Sequence, residues 1–224
     1  MLDWGEYFNK NYINSGIGRT IVSQPFDCLR IHMQNSNKLI STHRAVLDIY
    51  KKNGIRGFYK GMTPFLLGNI CLLSIYSNTY NKYKKDYGSF VSGGIGGFYG
   101  SYISNVIEYY RCSFYNKNHK KFNFSTISKS YPITGLRDII GWGSFFATYD
   151  YSKKVFKNLP EPVHSLVVGS LSGIALWTSM YPLDTIKTRI QTESSFKNLR
   201  LWAGYSSCLI RAIPVNATIV YFMN

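Results

Sequence analysis

The chain has 224 residues with 26 Lys and Arg against 11 Asp and Glu, a net charge of +15, and a mean hydropathy of −0.12. That charge favours anionic partners such as nucleic acid, acidic lipid or anionic metabolites, and with no run of 18 uncharged apolar residues, hydropathy alone reads as a soluble protein. The isolated cysteines (Cys28, Cys71, Cys112, Cys208) and scattered histidines lack any CxxC or Cys/His ligand spacing, which argues against a zinc site and a disulfide framework.

In chain order, "MLDWGEYFNK" has neither a basic region followed by an apolar stretch nor Arg-rich, acid-poor character, so no cleavable presequence is expected. A first helix is predicted to end near "QPFDCLRIHMQ" (Gln24 to Gln34). Pro25 kinks it by removing a backbone hydrogen bond, and Asp27 and Arg30, three residues apart, share a face. "THRAVLDIYKKNG" reads as a short amphipathic helix, followed by "GFYKG" (Gly57 to Gly61) and a second helix through "SNTYNKYKK" (Ser77 to Lys85). "GGIGGFYG" (Gly93 to Gly100) opens the next helix. It satisfies G-x-G-x-x-G in no register and follows no strand, so it is not a dinucleotide loop. Its small residues four apart, like Gly16/Thr20 and Gly169/Gly173, suit close helix approach in a membrane.

That helix ends at "VIEYYRCSFY" (Val106 to Tyr115), where Glu108 and Arg111 repeat the acid–base spacing while Val106 and Tyr115 replace the proline and the glutamine. A further helix holds Arg137-Asp138 and ends at "ATYDYSKK" (Ala147 to Lys154). "YPLDTIKTRIQ" (Tyr181 to Gln191) then repeats the first motif as Pro182, Asp184, Lys187 and Gln191. "LWAG" (Leu201 to Gly204) and a last helix with "RAIPVNA" (Arg211 to Ala217) follow. One motif anchored at positions 25, 106 and 182 divides the chain into three units, 1–88, 89–157 and 158–224.

Pro25-x-Asp27-x-x-Arg30, Pro182-x-Asp184-x-x-Lys187, "GFYKG" and "RAIPVNA" together resemble the mitochondrial carrier family over nearly the whole chain. The resemblance implies an all-α membrane protein, with six transmembrane helices in three pseudo-threefold-related pairs around a central cavity. Helices that line a water-filled cavity need a polar face, which explains why a hydropathy scan misses them. The chain is short for such a carrier. The helix between paired helices is trimmed in units two and three, the third unit stops early at Asn224, and the AT-biased composition is similar to virus- or parasite-encoded members.

The resemblance further implies a gate on the matrix side, built from the pairs Asp27–Arg111, Glu108–Lys187 and Asp184–Arg30 and braced by Gln34 and Gln191. Each partly wet pair contributes about 0–1 kcal/mol, so a bound substrate can open a ring of three. On the other side the resemblance expects an acid and a base at the end of each even-numbered helix. Tyr149-Asp150-x-x-Lys153 fits, Tyr80-Asn81-x-x-Lys84 has lost its acid, and at most one pair, Asp150–Lys84, remains in a weak outer gate. Loops near 35–61, 113–131 and 192–204 hold twelve Lys and Arg against six near 81–87 and 152–162, which favours placing the former in the matrix.

Ionisable residues inside membrane segments are functional candidates, and transporters bind substrate near the midplane. Arg137, Asp138 and Arg211 qualify, and Gly68 and Asn69 take the equivalent place in unit one. Arg19 falls within about 20° of Arg30 on a helical wheel, and Trp177 faces the same way as Asp184, either stacking on a base or filling the core.

In the family, Arg137-Asp138 and "RAIPVNA" lean toward amino acid or acylcarnitine carriers. Against this, Arg19, Arg137 and Arg211 facing the single acid Asp138 favour phosphate chains, so nucleotides or deoxynucleotides, moved by exchange, are the first expectation. The expected setting is a multi-pass monomer in the mitochondrial inner membrane, among acidic lipids such as cardiolipin. No cofactor, metal or nucleic-acid partner is expected. No nucleophile–base pair, metal cluster or phosphate loop points to an enzyme. A basic soluble nucleic-acid-binding protein would explain the charge and the aromatics but not the threefold motif.

Overall fold

A computed structural model of the protein describes residues 10–35, 41–59, 62–115, 123–193, 195–197 and 199–223. Regular structure among them is helical: α1 (Lys10–Asn35), α2 (Thr42–Asn53), a 3-10 turn (Ile55–Tyr59), α3 (Met62–Tyr115), α4 (Phe124–Val155), α5 (Val163–Gln191) and α6 (Tyr205–Met223). Pro25 lies inside α1 and Pro182 inside α5, and both helices run on past the proline.

Helix α3 is two arms joined at Gly88, whose φ of 76° and ψ of 173° break the helix. That conformation strains any residue with a Cβ. The chain reverses there, so that Gly96 lies against the Tyr76 backbone and Gly68 against the Ile107 side chain. Helix α1 packs on the first arm, where Asn69 Nδ2 donates to Thr20 Oγ1 (2.9 Å). The second arm packs on α4, α4 on α5 and α5 on α6, and α6 returns to α1. The long helical segments therefore close a ring.

Small residues set how tightly that ring closes. A Cβ on Gly93 would lie 2.5 Å from the Trp142 carbonyl oxygen, one on Gly97 would strike the Asp138 carbonyl, and one on Gly169 would lie 2.5 Å from the Asn216 carbonyl oxygen. Backbones this close lose contact if the glycine gains bulk. "GGIGGFYG" is thus a helix-packing surface.

Helix α2 lies beside the ring, burying Ala45 and Ile49 against Cys28 and Leu29 of α1. Ser41 caps it by accepting from the Arg44 N–H (3.4 Å), and Gly54 ends it with a φ of 59°. Between α5 and α6 the described residues form turns and extended chain, so the short helix expected to be trimmed in unit three is absent among them.

Charged and polar side chains share the interior with an apolar cluster, while large apolar side chains also face outward. Asp27, Asn69, Arg137, Asp138, Asp184, Lys187 and Arg189 are buried, while Ile21, Leu67, Val91, Phe98, Leu136, Leu166, Ile210 and Ile213 are exposed. By hydropathy, α5 alone among the described residues is long and apolar enough to cross a membrane. The other helices turn polar side chains inward, which lowers their average without removing their apolar outer faces.

Candidate functional site

Inside the ring lies a cavity of about 50 Å³, enough for a few water molecules in this closed arrangement. Helix α1 supplies Arg19 and Asp27 to its wall, α3 supplies Asn69, Ser104 and Glu108, α4 supplies Arg137 and Asp138, and α5 supplies Trp177. Five of the residues singled out for substrate contact (Arg19, Asn69, Arg137, Asp138, Trp177) therefore line one space. Gly68 does not, because it is pressed under Ile107 one residue away from the wall. The side chain of Arg211 lies outside the described residues.

Arg137 organises the floor of the cavity. Its Nε donates to Asp138 Oδ1 (2.8 Å), and Nη2 lies 2.6 Å from the same oxygen. Nη1 donates both to Glu108 Oε2 (2.8 Å) and to Asp184 Oδ1 (2.9 Å), and Nη2 reaches Glu108 Oε1 at 3.4 Å. One guanidinium on α4 thus holds a carboxylate of its own helix, one of α3 and one of α5. Asp138 is steadied from the far side by Ser104, whose hydroxyl donates to Oδ2 (2.6 Å). Such charged groups tolerate burial because each is paired and hydrogen-bonded.

Of the expected matrix-side pairs, Lys187 of α5 contacts Glu108 of α3. Asp27 is buried at the cavity wall. The side chains of Arg30, Arg111 and Gln34 lie outside the described residues, so Asp27–Arg111 and Asp184–Arg30 do too. Gln191 donates to the Asn105 side chain (2.9 Å) and carbonyl (3.2 Å), one helical turn before Glu108. Asn105 also accepts from Ser130 (2.8 Å) and Thr134 (3.0 Å), joining α3, α4 and α5 in one polar knot. Sequence reasoning missed Asn105. Its only signal is a polar residue three places before the motif acid.

Arg19 projects toward the opposite wall, with its guanidinium 5.8 Å from the Trp142 ring centre, within cation–π range. Trp142 also packs against the Tyr76 ring at a 30° tilt, with ring centres 3.9 Å apart. Trp177 is buried within the main apolar cluster and meets the cavity at its edge, so it serves packing as well as lining.

At the other end of the bundle, Lys84 lies 2.6 Å from Asp150. Asp150 also accepts from the Tyr80 hydroxyl (2.6 Å) and from Ser89, just past the Gly88 reversal. These hydroxyls reinforce the one ion pair expected there. Lys153 turns back onto its own helix, donating to the Tyr149 hydroxyl (3.2 Å).

The mitochondrial carrier protein family matches residues 13–89 and 158–200, more than half of the chain. Similar curated proteins include the glutamate/glycine mitochondrial carrier ymc1 of Schizosaccharomyces pombe, 26% identical over 269 residues covering 93% of this chain and 89% of that one. The mitochondrial ornithine transporter 1 of Mus musculus is 24% identical, covering 91% and 88%, and the mitochondrial carnitine carrier of Saccharomyces cerevisiae is 23% identical, covering 93% and 84%.

Proposed function

This chain belongs to the mitochondrial carrier family, and from that premise we propose that it moves small zwitterionic metabolites, amino acids foremost, across the mitochondrial inner membrane by alternating access. The three units and their six membrane-spanning helices, the matrix gate at Glu108–Lys187 and the outer gate at Lys84–Asp150 belong to this reading. The closed helical ring, with charge inside and apolar side chains outside, supports it.

The observation that carries the substrate class is the balance of charge around the cavity. Among the described residues, Asp27, Glu108 and Asp138 face Arg19 and Arg137 there. A phosphate chain would meet three carboxylates and an arginine already engaged by acids. A zwitterion offers an ammonium to the former and a carboxylate to the latter, so neither buried sign is left uncompensated. The nucleotide expectation rested on setting Arg19, Arg137 and Arg211 against the single buried acid Asp138. The chain's excess of positive charge gives that expectation little support, since exposed residues such as Lys51, Lys52, Arg56, Lys82, Lys85 and Lys157 carry part of it. Glycine, glutamate, ornithine and carnitine, named for the similar carriers, all combine a carboxylate with a cationic nitrogen.

The test is uptake into liposomes holding the purified protein, with labelled glycine, ornithine, glutamate, carnitine and ATP offered separately. Saturable uptake of at least one zwitterion, with ATP at background, is expected. Uptake of ATP alone would overturn the substrate class.

A further inference from the structure

The cavity has two layers. Asp27, Glu108, Arg137 and Asp138 form a charged floor, and Arg19, Tyr76, Trp142 and Trp177 form a wall beside it. Trp142 follows Arg137 by five residues, Trp177 precedes Asp184 by seven and Arg19 precedes Asp27 by eight. At about 1.5 Å per residue, the wall lies about 7–12 Å from those charged positions, toward the Lys84–Asp150 end. A cation already rests on it, since the Arg19 guanidinium is 5.8 Å from the Trp142 ring centre, and the Tyr76 ring packs on the same tryptophan. We propose that this aromatic wall is a cage for the substrate's ammonium head, selective for N-methylated zwitterions of the betaine type over their unmethylated parents. The proposal rests on the transport reading above and narrows its substrate class.

The floor and the wall act on the ammonium in different ways. The floor carboxylates supply the sign, but they are already engaged: Asp138 accepts from Arg137 and Ser104, and Glu108 meets Arg137 and Lys187. A primary ammonium gains hydrogen bonds there only by competing with those donors, and against the rings its N–H groups lack acceptors. A quaternary ammonium donates no hydrogen bond. It needs only a nearby negative field and polarisable ring faces, and cation–π attraction supplies the second. Ring and carboxylate are held side by side by the second arm of α3. Gly100 seats the Tyr76 ring, which a Cβ at that position would strike, and Ser104, about one turn on, holds the Asp138 carboxylate. Once the methylated head takes the ring face, Arg19 turns to the substrate's carboxylate, so one contact within the wall is exchanged for two with the zwitterion.

The test is a methylation series at constant charge. Glycine, sarcosine, N,N-dimethylglycine and betaine compete with a labelled transported zwitterion for uptake into liposomes. In the wild type the half-inhibitory concentration should fall with each methyl group, about tenfold from glycine to betaine. Trp142→Leu should bring all four within about threefold of one another, while Trp142→Phe keeps the order over a narrower span. Ratios within one variant are independent of how much protein is folded. If Trp142→Leu gives no active protein, Trp142→Phe decides by the same narrowing. A flat or reversed order in the wild type, or a span unchanged in the variant, overturns the cage.

If the wild type transports no zwitterion, the transport reading fails and the cage is judged by binding alone. Tetramethylammonium chloride should then raise the melting temperature of the purified protein more than ammonium chloride at the same ionic strength, and Trp142→Leu should abolish the difference. Equal shifts from the two salts in the wild type, or a difference that survives the substitution, would overturn the cage on its own.

Discussion

Replacing Arg137 by alanine should be the most damaging single truncation within the cavity. The guanidinium is 3% exposed, and the carboxylates it holds include Asp138 at 2% and Asp184 at 1%. Removing one partner of a buried, hydrogen-bonded ion pair costs about 3–5 kcal/mol, because the remaining charge stays desolvated and unmatched. Arg137→Ala takes from Asp138, Glu108 and Asp184 the one guanidinium that all three share. In a chain of this size about 2–4 °C of melting temperature accompanies each kcal/mol, so a drop of roughly 6–20 °C is expected. Arg137→Lys should fall between the two, since an ammonium is a point charge that cannot bridge three carboxylates as a planar fork does. Neutralising a stranded acid in the same chain, as in Arg137→Ala with Asp138→Asn, should recover part of the loss. The assay is thermal unfolding of purified protein in one detergent and lipid mixture. A melting temperature within about 2 °C of wild type for Arg137→Ala would refute the claim that this side chain neutralises the cavity floor.

Gly97→Leu should destabilise by about 1–3 kcal/mol through overpacking against the Asp138 carbonyl, read in the same melt, and a neutral result would show that α3 and α4 separate easily. At the other end, Asp150→Asn should cost more than Lys84→Met. The first weakens bonds from Lys84, Tyr80 and Ser89 together, whereas the second removes one pair whose lysine is 43% exposed and screened by solvent. The reverse order of melting temperatures would show that the ion pair, not the hydroxyl cluster, holds that end.

The general design was legible because it is periodic. An acid and a base three residues apart, written three times, allow opposite charges on neighbouring helices to meet, and Lys187 does reach Glu108. The small-residue spacing was legible for the same reason, since Gly93 and Gly97 fall one turn apart on the face that meets α4. What escaped the sequence depends on distance across the bundle. Position 137 is visibly a buried arginine candidate, but nothing in its neighbours shows that Glu108, 29 residues earlier, and Asp184, 47 later, end at its guanidinium. Asn105 escaped for the same reason, since its partners on α4 and α5 lie far away in sequence.

Net charge says little about a binding cavity because it sums surface and interior into one number, while the cavity responds only to what lines it. Lysines on helix ends and loops are solvated and screened over about a nanometre at physiological salt, so they bias encounter and lipid contact more than selection inside the ring. The interior is governed by pairing, because a buried charge without a partner destabilises the closed state far more than a surface charge does. Among the described residues, Asp27, Glu108, Asp138 and Asp184 stand against Arg19, Arg137 and Lys187, and on the reading proposed above they offer a solute both signs. A solute carrying both signs can exchange with such pairs one for one, which lets binding loosen the bundle without leaving a charge stranded in it.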